Sequence, residues 1–451
     1  MGQEFSVANL RKILNSDRER GGDLEEKYIN KAYKIRRRLK KFVDMLFKAT
    51  RLYHMKKISS ESYERRKIRL NLLLSTYKTR HEIIVTEALT DVSDSIGRTA
   101  FRVTLAKLPT LVAGKTVYGI SDKLEEILAV RHVQRILKET YQVKMPSRDI
   151  LIGQIKALVF DGVPKFILKS DVESFYESVR HEQLLESIHR SSQLSIDVKR
   201  MITRLLKDYA RVSGSDKGLP RGIGISAYLA EIYLLDVDKK IRENTDIFHY
   251  ARYVDDIVLM YAPSRPDKIP TYRQELELIM KEKGLTLNTL PHKTKELDVT
   301  TEQKGKFEYL GYEFDLASGG SGITLSSKKI TKYKDRIKKA FSDYHKKKSF
   351  IPQKAAGELI ERSLFLTGNM RLFSRKSNAF IGIYFSNKFL TNDKDLKGLD
   401  YYYQHHVNSI TNLRLKKKLA KNSFQDGFHK KAFRTFDPKR LAEISNGWHH
   451  A

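Results

Sequence analysis

Apolar residues recur at helical spacing through the first hundred positions. Ile35, Leu39, Phe42 and Leu46 mark one face of 25–52, and 63–88 repeats the pattern with few breakers. Stripes of this kind, with Lys, Arg and Glu between them, predict amphipathic helices packing inward. A scaffold helix pair is the plain reading of residues 1–100. Residues 101–165 are mixed and less periodic.

From 166 the pattern changes. Phe166 to Ser170 predicts a short apolar strand ending at Asp171. Helical patterns run over 179–188 and 197–210, a Gly-rich turn over 214–224, and a helix from Ser226 to about Ile241. Two apolar segments, 248–254 and 257–261, flank Asp255-Asp256. A helix over 272–283 ends at Gly284, and 285–290 reads as another strand. Strand, helices, strand, strand, helix, strand is the split βαβ order of a ferredoxin-like sheet. Four ranges follow: 1–100 helical, 101–165 mixed, 166–324 carrying the sheet, and 325–451 helical and basic.

Composition sharpens this picture. A chain of 451 residues suggests two or three domains. Its formal net charge is +31, from 85 Lys and Arg against 54 Asp and Glu. Such an excess favours a polyanionic partner, nucleic acid first, although a solubility surface would also be basic. Residues 325–451 alone hold 28 Lys and Arg against 10 Asp and Glu. Runs such as Lys346-Lys347-Lys348 and Lys416-Lys417-Lys418, with Tyr401-Tyr402-Tyr403 as stacking surfaces, suit single-stranded or hybrid nucleic acid. A solvated helical face is the alternative for any one run.

The absence of cysteine excludes disulfides, thiolate zinc sites and a Cys nucleophile. No apolar run approaches a membrane span, and Met1 to Asn15 lacks a signal-peptide core, so a cytoplasmic protein without membrane contact is expected. Gly114-Lys115-Thr116 is no phosphate loop, because position 109 is Pro where that loop needs Gly.

The sharpest chemical signal is Tyr253-Val254-Asp255-Asp256. Two adjacent acids between apolar strands are costly unless a cation binds there, although a lone Asp-Asp turn is commonly structural. Asp171 ends a strand about 85 residues upstream and could meet the pair across a sheet. Three carboxylates can hold two hard divalent cations, Mg²⁺ or Mn²⁺, that serve an in-line displacement at phosphorus.

At this point a resemblance becomes specific. Asp171 with Phe175-Tyr176, Leu219-Pro220-Arg221-Gly222 with Ser226, Tyr253-Val254-Asp255-Asp256, Leu287-Asn288 with Lys293-Thr294, and Tyr309-Leu310-Gly311-Tyr312 follow in order. Together they resemble the palm motifs of reverse transcriptases over roughly 150 residues. The resemblance implies an α+β right-hand polymerase, with fingers at 101–165, a ferredoxin-like palm at 166–324 and a basic, thumb-like region at 325–451.

It also implies roles. Asp171, Asp255 and the Val172 carbonyl would be metal ligands, with Asp256 a ligand or an electrostatic support. Tyr176 would lie under the sugar and exclude a 2′-hydroxyl, implying dNTP substrates; its plainer role is a core aromatic. Lys293 would approach the leaving pyrophosphate as general acid, or be a plain surface lysine. Gly222 would let backbone approach the nucleotide, and Tyr309, Leu310 and Gly311 would form the primer grip. Arg148 is the first choice for gripping the triphosphate, with Arg131, Arg135, Lys138 and Lys144 competing.

Most reverse transcriptases carry Gln where this chain has Arg221. Pro220-Arg221-Gly222 followed by Ile223-Gly224-Ile225-Ser226-Ala227 is similar instead to bacterial abortive-infection and other phage-defence reverse transcriptases. Arg221 would then place a fixed cation beside the incoming nucleotide or the templating strand. Some of that group copy RNA, and others extend DNA from a protein hydroxyl without an ordinary template. A dedicated non-coding RNA, a partner protein and homo-oligomers are further implications. The alternatives are a conventional retron- or intron-type enzyme, or a non-catalytic RNA-binding scaffold.

Overall fold

The apolar stripes of the first hundred residues become four helices, α1 (Val7–Glu19), α2 (Leu24–Tyr28), α3 (Asn30–His54) and α4 (Ser60–Gly97). The computed structural model describes residues 2–448 except 113, 144–146, 303, 318–321 and 374–377. Lys144, singled out in the sequence, therefore lies outside the described residues. The long pair α3 and α4 pack on each other, and α4 starts where the Ser59 hydroxyl accepts the Ser62 N–H.

A hairpin follows, β1 (Leu105–Val112) and β2 (Lys115–Ile120), with Gly114 at its turn and Lys115-Thr116 opening β2 rather than a helix N-terminus. Next come α5 (Leu124–Thr140), α6 (Arg148–Val159), β3 (Phe166–Asp171), α7 (Phe175–Ser178), α8 (His181–Arg190), α9 (Ile196–Ser213) and α10 (Gly224–Glu243). Then β4 (Ile247–Tyr253), β5 (Asp256–Tyr261), a 3₁₀ turn, α11 (Tyr272–Glu282) and β6 (Lys295–Asp298) complete the central sheet. A three-stranded meander, β7 (Lys306–Tyr309), β8 (Tyr312–Asp315) and β9 (Gly322–Leu325), precedes the C-terminal elements. These are α12 (Ser327–Lys347), α13 (Pro352–Thr367), the hairpin β10 (Asn369–Phe373) and β11 (Asn378–Gly382), α14 (Lys394–Asn408), α15 (Leu413–Leu419), α16 (Phe424–His429) and α17 (Pro438–Asn446).

The central sheet has the order β4-β5-β3-β6, all neighbours antiparallel. This is the ferredoxin-like order expected from the sequence. One strand differs. The segment 285–290 is not the fourth strand; β6 at 295–298 is. Leu285 and Leu287 are buried, but only one bridge, Val172 to Leu287, forms there. The Asn288 side chain then accepts the Leu290 N–H, and Pro291 has no N–H to offer a ladder.

The chain packs as two compact units. One joins Met1–Lys144 with Ser174–Asp236, the other Met145–Glu173 with Val237–Ala451. In the second unit one core lies under the sheet, built from Ile167, Val258, Met260, Phe307 and Phe314. Another fills the C-terminal helices around Ile337, Phe341, Leu359, Leu396 and Phe424. Tyr403 belongs to this second core, with its hydroxyl donating to the Leu419 carbonyl. Of the three tyrosines at 401–403 only Tyr401 is well exposed, because one helical turn cannot present three successive residues to one face. Among the described residues no helix is long and apolar enough to cross a membrane.

Candidate active site

The strand β3 is buried along its whole length and delivers Asp171 at its end. Asp171 is the cross-strand partner of Asp256, the first residue of β5. Between β4 and β5 the chain turns through Val254 and Asp255, and Tyr253 pairs with Asp256. Val254 has φ +60°, a conformation that a β-branched residue adopts only under strain. Two bonds hold the turn. The Val172 N–H donates to the Asp255 carbonyl at 3.1 Å, and the Arg252 guanidinium donates to the Val254 carbonyl at 3.1 Å. Arg252 is in turn fixed by a two-point bond to Asp238 at 2.8 and 2.6 Å.

Three aspartates thus share one sheet end. Burial raises the Asp255 carboxyl above its ordinary range, and repulsion from Asp171 and Asp256 adds to it. Lys293 Nζ stands 2.9 Å from Asp171 Oδ2. Burial pulls Lys293 down, but its bond to Asp171 and the field of the three acids outweigh this and hold it above an ordinary lysine. Lys169, whose side chain is only 5% exposed, reaches Asp256 Oδ1 at 3.1 Å and the Lys293 carbonyl at 2.9 Å. Lys169 and Arg252 were missed in the sequence. The available signal was a Lys following three large apolar residues in a buried strand, where it must find an anion or bury an unpaired charge.

The residues fit divalent cations in chemistry. They are hard oxygen donors whose mutual repulsion a cation would relieve. Among the described residues no backbone N–H reaches the Val172 carbonyl, which leaves that oxygen available as a donor. Among the described residues no three acidic or imidazole side chains stand in a ready-made cage, and two of the three carboxylates are turned onto lysines.

The primer-grip candidates form the β7–β8 turn. Leu310 (φ +46°) and Gly311 (φ +81°) make a two-residue hairpin turn, and Tyr309 pairs with Tyr312. The structure places Arg148 beneath this turn. Its Nε and Nη2 donate to the Leu310 carbonyl at 3.0 and 2.6 Å, and its guanidinium lies 5.1 Å from the Tyr312 ring centroid. Lys329 is 4.8 Å from the same centroid and is pushed down to about 7 by burial and by the charge of Arg148. Arg148 is therefore built as a brace for the turn, a partnering that its sequence neighbourhood did not reveal.

In the other unit, Arg221 grips Glu177 through Nε and Nη2 at 2.8 and 3.0 Å and lies 4.8 Å from the Tyr176 ring centroid. The fixed cation expected from the sequence is thus already neutralised by a carboxylate. Gly222 has φ +93°, and a Cβ there would sit 2.5 Å from Val117 Cγ1 and 2.8 Å from the Tyr118 carbonyl oxygen. Its missing side chain accommodates β2.

Comparison with known proteins bears on this site. Residues 123–314 match the family described as reverse transcriptase (RNA-dependent DNA polymerase). This segment is similar to reverse transcriptase domains. The match covers less than half of the chain, and the antiparallel sheet with its helices has the form of the palm in an α+β right-hand polymerase fold. No curated protein matches the chain.

Among solved structures, apo telomerase from Candida tropicalis is 13% identical over 76% of this chain and 61% of that one, with a TM-score of 0.38. A form truncated from its C-terminal domain is 14% identical over 50% and 55%, with a TM-score of 0.34. Telomerase from Candida albicans in complex with a TWJ fragment of telomeric RNA is 13% identical over 80% and 65%, with a TM-score of 0.37. The chain spans less than two thirds of each, and at these TM-scores the likeness carries no argument.

Proposed function

We propose that the chain is a DNA polymerase of the reverse transcriptase type, transferring deoxynucleotides to a 3′-hydroxyl with release of pyrophosphate. The observation that carries this reading is the convergence of Asp171, Asp255 and Asp256 at one sheet end inside the segment similar to reverse transcriptase domains. When divalent cations, Mg²⁺ or Mn²⁺, are held by the three aspartates and the Val172 carbonyl, they supply the charge that favours in-line attack and steadies the leaving group.

The remaining work falls to the chain itself. Lys293 keeps its proton at Nζ above neutrality and can give it to the departing pyrophosphate. Tyr176 excludes a 2′-hydroxyl and so selects dNTPs. Tyr309, Leu310 and Gly311 hold the primer end through a turn braced by Arg148. The substrate strand is nucleic acid, RNA and DNA, drawn to a chain of net charge +31.

The biological role is defence against bacteriophage, a reading supported by Pro220-Arg221-Gly222 and the segment after it. Synthesis is either templated by RNA, including a dedicated non-coding RNA, or primed from a protein hydroxyl without an ordinary template. A protein partner or self-assembly would serve either mode. The test is to purify the protein with its bound nucleic acid, add each dNTP separately, and sequence everything attached. Defined RNA with complementary DNA supports templated synthesis. Covalent DNA of simple sequence with no matching RNA supports protein priming. Absence of any DNA product overturns the proposal.

A further inference from the structure

Tyr176 sits on α7, a helix of four residues preceded by Ser174 with φ +44°. A single turn has almost no stability of its own, so something else must hold the ring. The surrounding contacts supply it. The Arg221 guanidinium lies 4.8 Å from the Tyr176 ring centroid. Arg221 is itself oriented by two parallel bonds, at 2.8 and 3.0 Å, onto Glu177, the residue next to Tyr176. Lys115 stands 3.9 Å from the same carboxylate and donates to the Ser174 hydroxyl at 3.3 Å.

The backbone that carries Arg221 is equally fixed. Its carbonyl accepts the Tyr118 N–H at 2.8 Å, while the Leu219 N–H donates to the Tyr176 carbonyl and the Gly218 N–H to the Val179 carbonyl, both at 2.7 Å. Gly222 packs so closely on β2 that the 218–222 loop is confined by main chain on one side. Burial raises Glu177, but the bonds and charge of Arg221, with Lys115, hold it below the ordinary glutamate range.

We propose that Glu177 and Arg221 are paired positioning residues that lock the Tyr176 ring and thereby set discrimination between deoxyribonucleotides and ribonucleotides. This rests on the reading of Tyr176 as the sugar gate. A planar fork that bonds a carboxylate at two points while its face covers an aromatic ring is a task for arginine and not for lysine. The bridge is partly exposed, so its contribution lies in geometry more than in stability. A gate that rejects one hydroxyl must hold its ring in place, and a ring freed to rotate would make room for that hydroxyl.

The experiment measures kcat and KM for matched dNTP and rNTP with the full chain and Mg²⁺. It compares wild type with Tyr176→Ala, Arg221→Lys, Arg221→Met, Glu177→Gln and the exchanged pair E177R/R221E, with thermal unfolding of each. Tyr176→Ala should abolish the preference for dNTP. Arg221→Lys, Arg221→Met and Glu177→Gln should each lower it about tenfold, chiefly through a lower KM for rNTP. The exchanged pair should recover part of it.

If Arg221→Lys keeps the wild-type preference, charge alone suffices and the lock is overturned. If Tyr176→Ala relaxes the preference while the Arg221 and Glu177 variants do not, the lock fails and the polymerase reading stands. If Tyr176→Ala leaves the preference intact, the gate and its lock both fall. Wild-type protein that incorporates neither nucleotide overturns the lock together with the polymerase reading.

Discussion

The ammonium of Lys169 lies 3.1 Å from the Asp256 carboxylate, although Lys169 belongs to the most buried strand of the sheet. A lysine in that position is tolerated only because an anion and the Lys293 carbonyl receive its protons. The pair sits at the edge of the aspartate cluster and balances part of its charge. Lys169→Met should therefore unfold more easily by about 2 kcal/mol, a figure lowered by the partial exposure of Asp256. Nucleotide incorporation should fall with it. Urea denaturation beside a steady-state assay measures both effects, and unchanged stability would show that Asp256 does not depend on this partner.

Arg148 offers a choice between two roles. The structure ties both nitrogens to the Leu310 carbonyl in a turn with two residues at positive φ. Arg148→Met should cost about 1–2 kcal/mol through these bonds. It should raise the KM for the primer end and leave the KM for dNTP unchanged. A selective rise in the KM for dNTP would restore the triphosphate role read from the sequence.

Gly222 and Gly214 both have positive φ, at +93° and +81°, but differ in surroundings. A Cβ at 222 meets Val117 and the Tyr118 backbone, whereas nothing lies within 4 Å of one at 214. Gly214→Ala should cost about 1 kcal/mol, the strain alone. Gly222→Ala should cost at least about 2 kcal/mol more, because backbone cannot yield cheaply. Equal losses in a denaturation series would remove the close approach from the account.

His132 is fully buried, with its Nε2 within 3.0 Å of the Glu4 carbonyl oxygen and its ring edge-on to Phe5. Burial, reinforced by Arg135, lowers it from 6.5 to about 4. Between these values the unfolded chain binds the proton that the folded chain refuses, so stability falls as pH drops from 6.5 towards 4 and is fully present above 6.5. The loss is about 3 kcal/mol by linkage. In His132→Phe this component of the pH dependence should vanish, as urea midpoints at pH 4.5, 5.5 and 7 would reveal.

How far the sequence reached depends on how local each signal was. The aspartates were legible because Asp171 ends a strand, Asp256 begins another and Asp255 lies in the turn just before it, and strands alternating with helices in that order leave few ways to form a sheet. The segment 285–290 misled because its apolar residues are buried without a ladder, and the break comes from Asn288 and Pro291. Arg148 and Gly222 were legible as residues but not in their partners, which lie 162 residues away at Leu310 and about a hundred away in β2. Lys169 was hidden inside an apolar run whose single charge looked incidental. The division into two interleaved units has no local signature, since the chain crosses between them at 144–145, 173–174 and 236–237.

The most direct test of the account is incorporation of labelled dNTP by the full chain, with and without Mg²⁺, beside Asp255→Asn. Thermal unfolding of the same samples is read in parallel. The account predicts incorporation only with the metal, at least a hundredfold loss in Asp255→Asn on the order of a lost transition-state contact, and metal-dependent stabilisation of wild type alone. Incorporation that ignores both the metal and the substitution would contradict it.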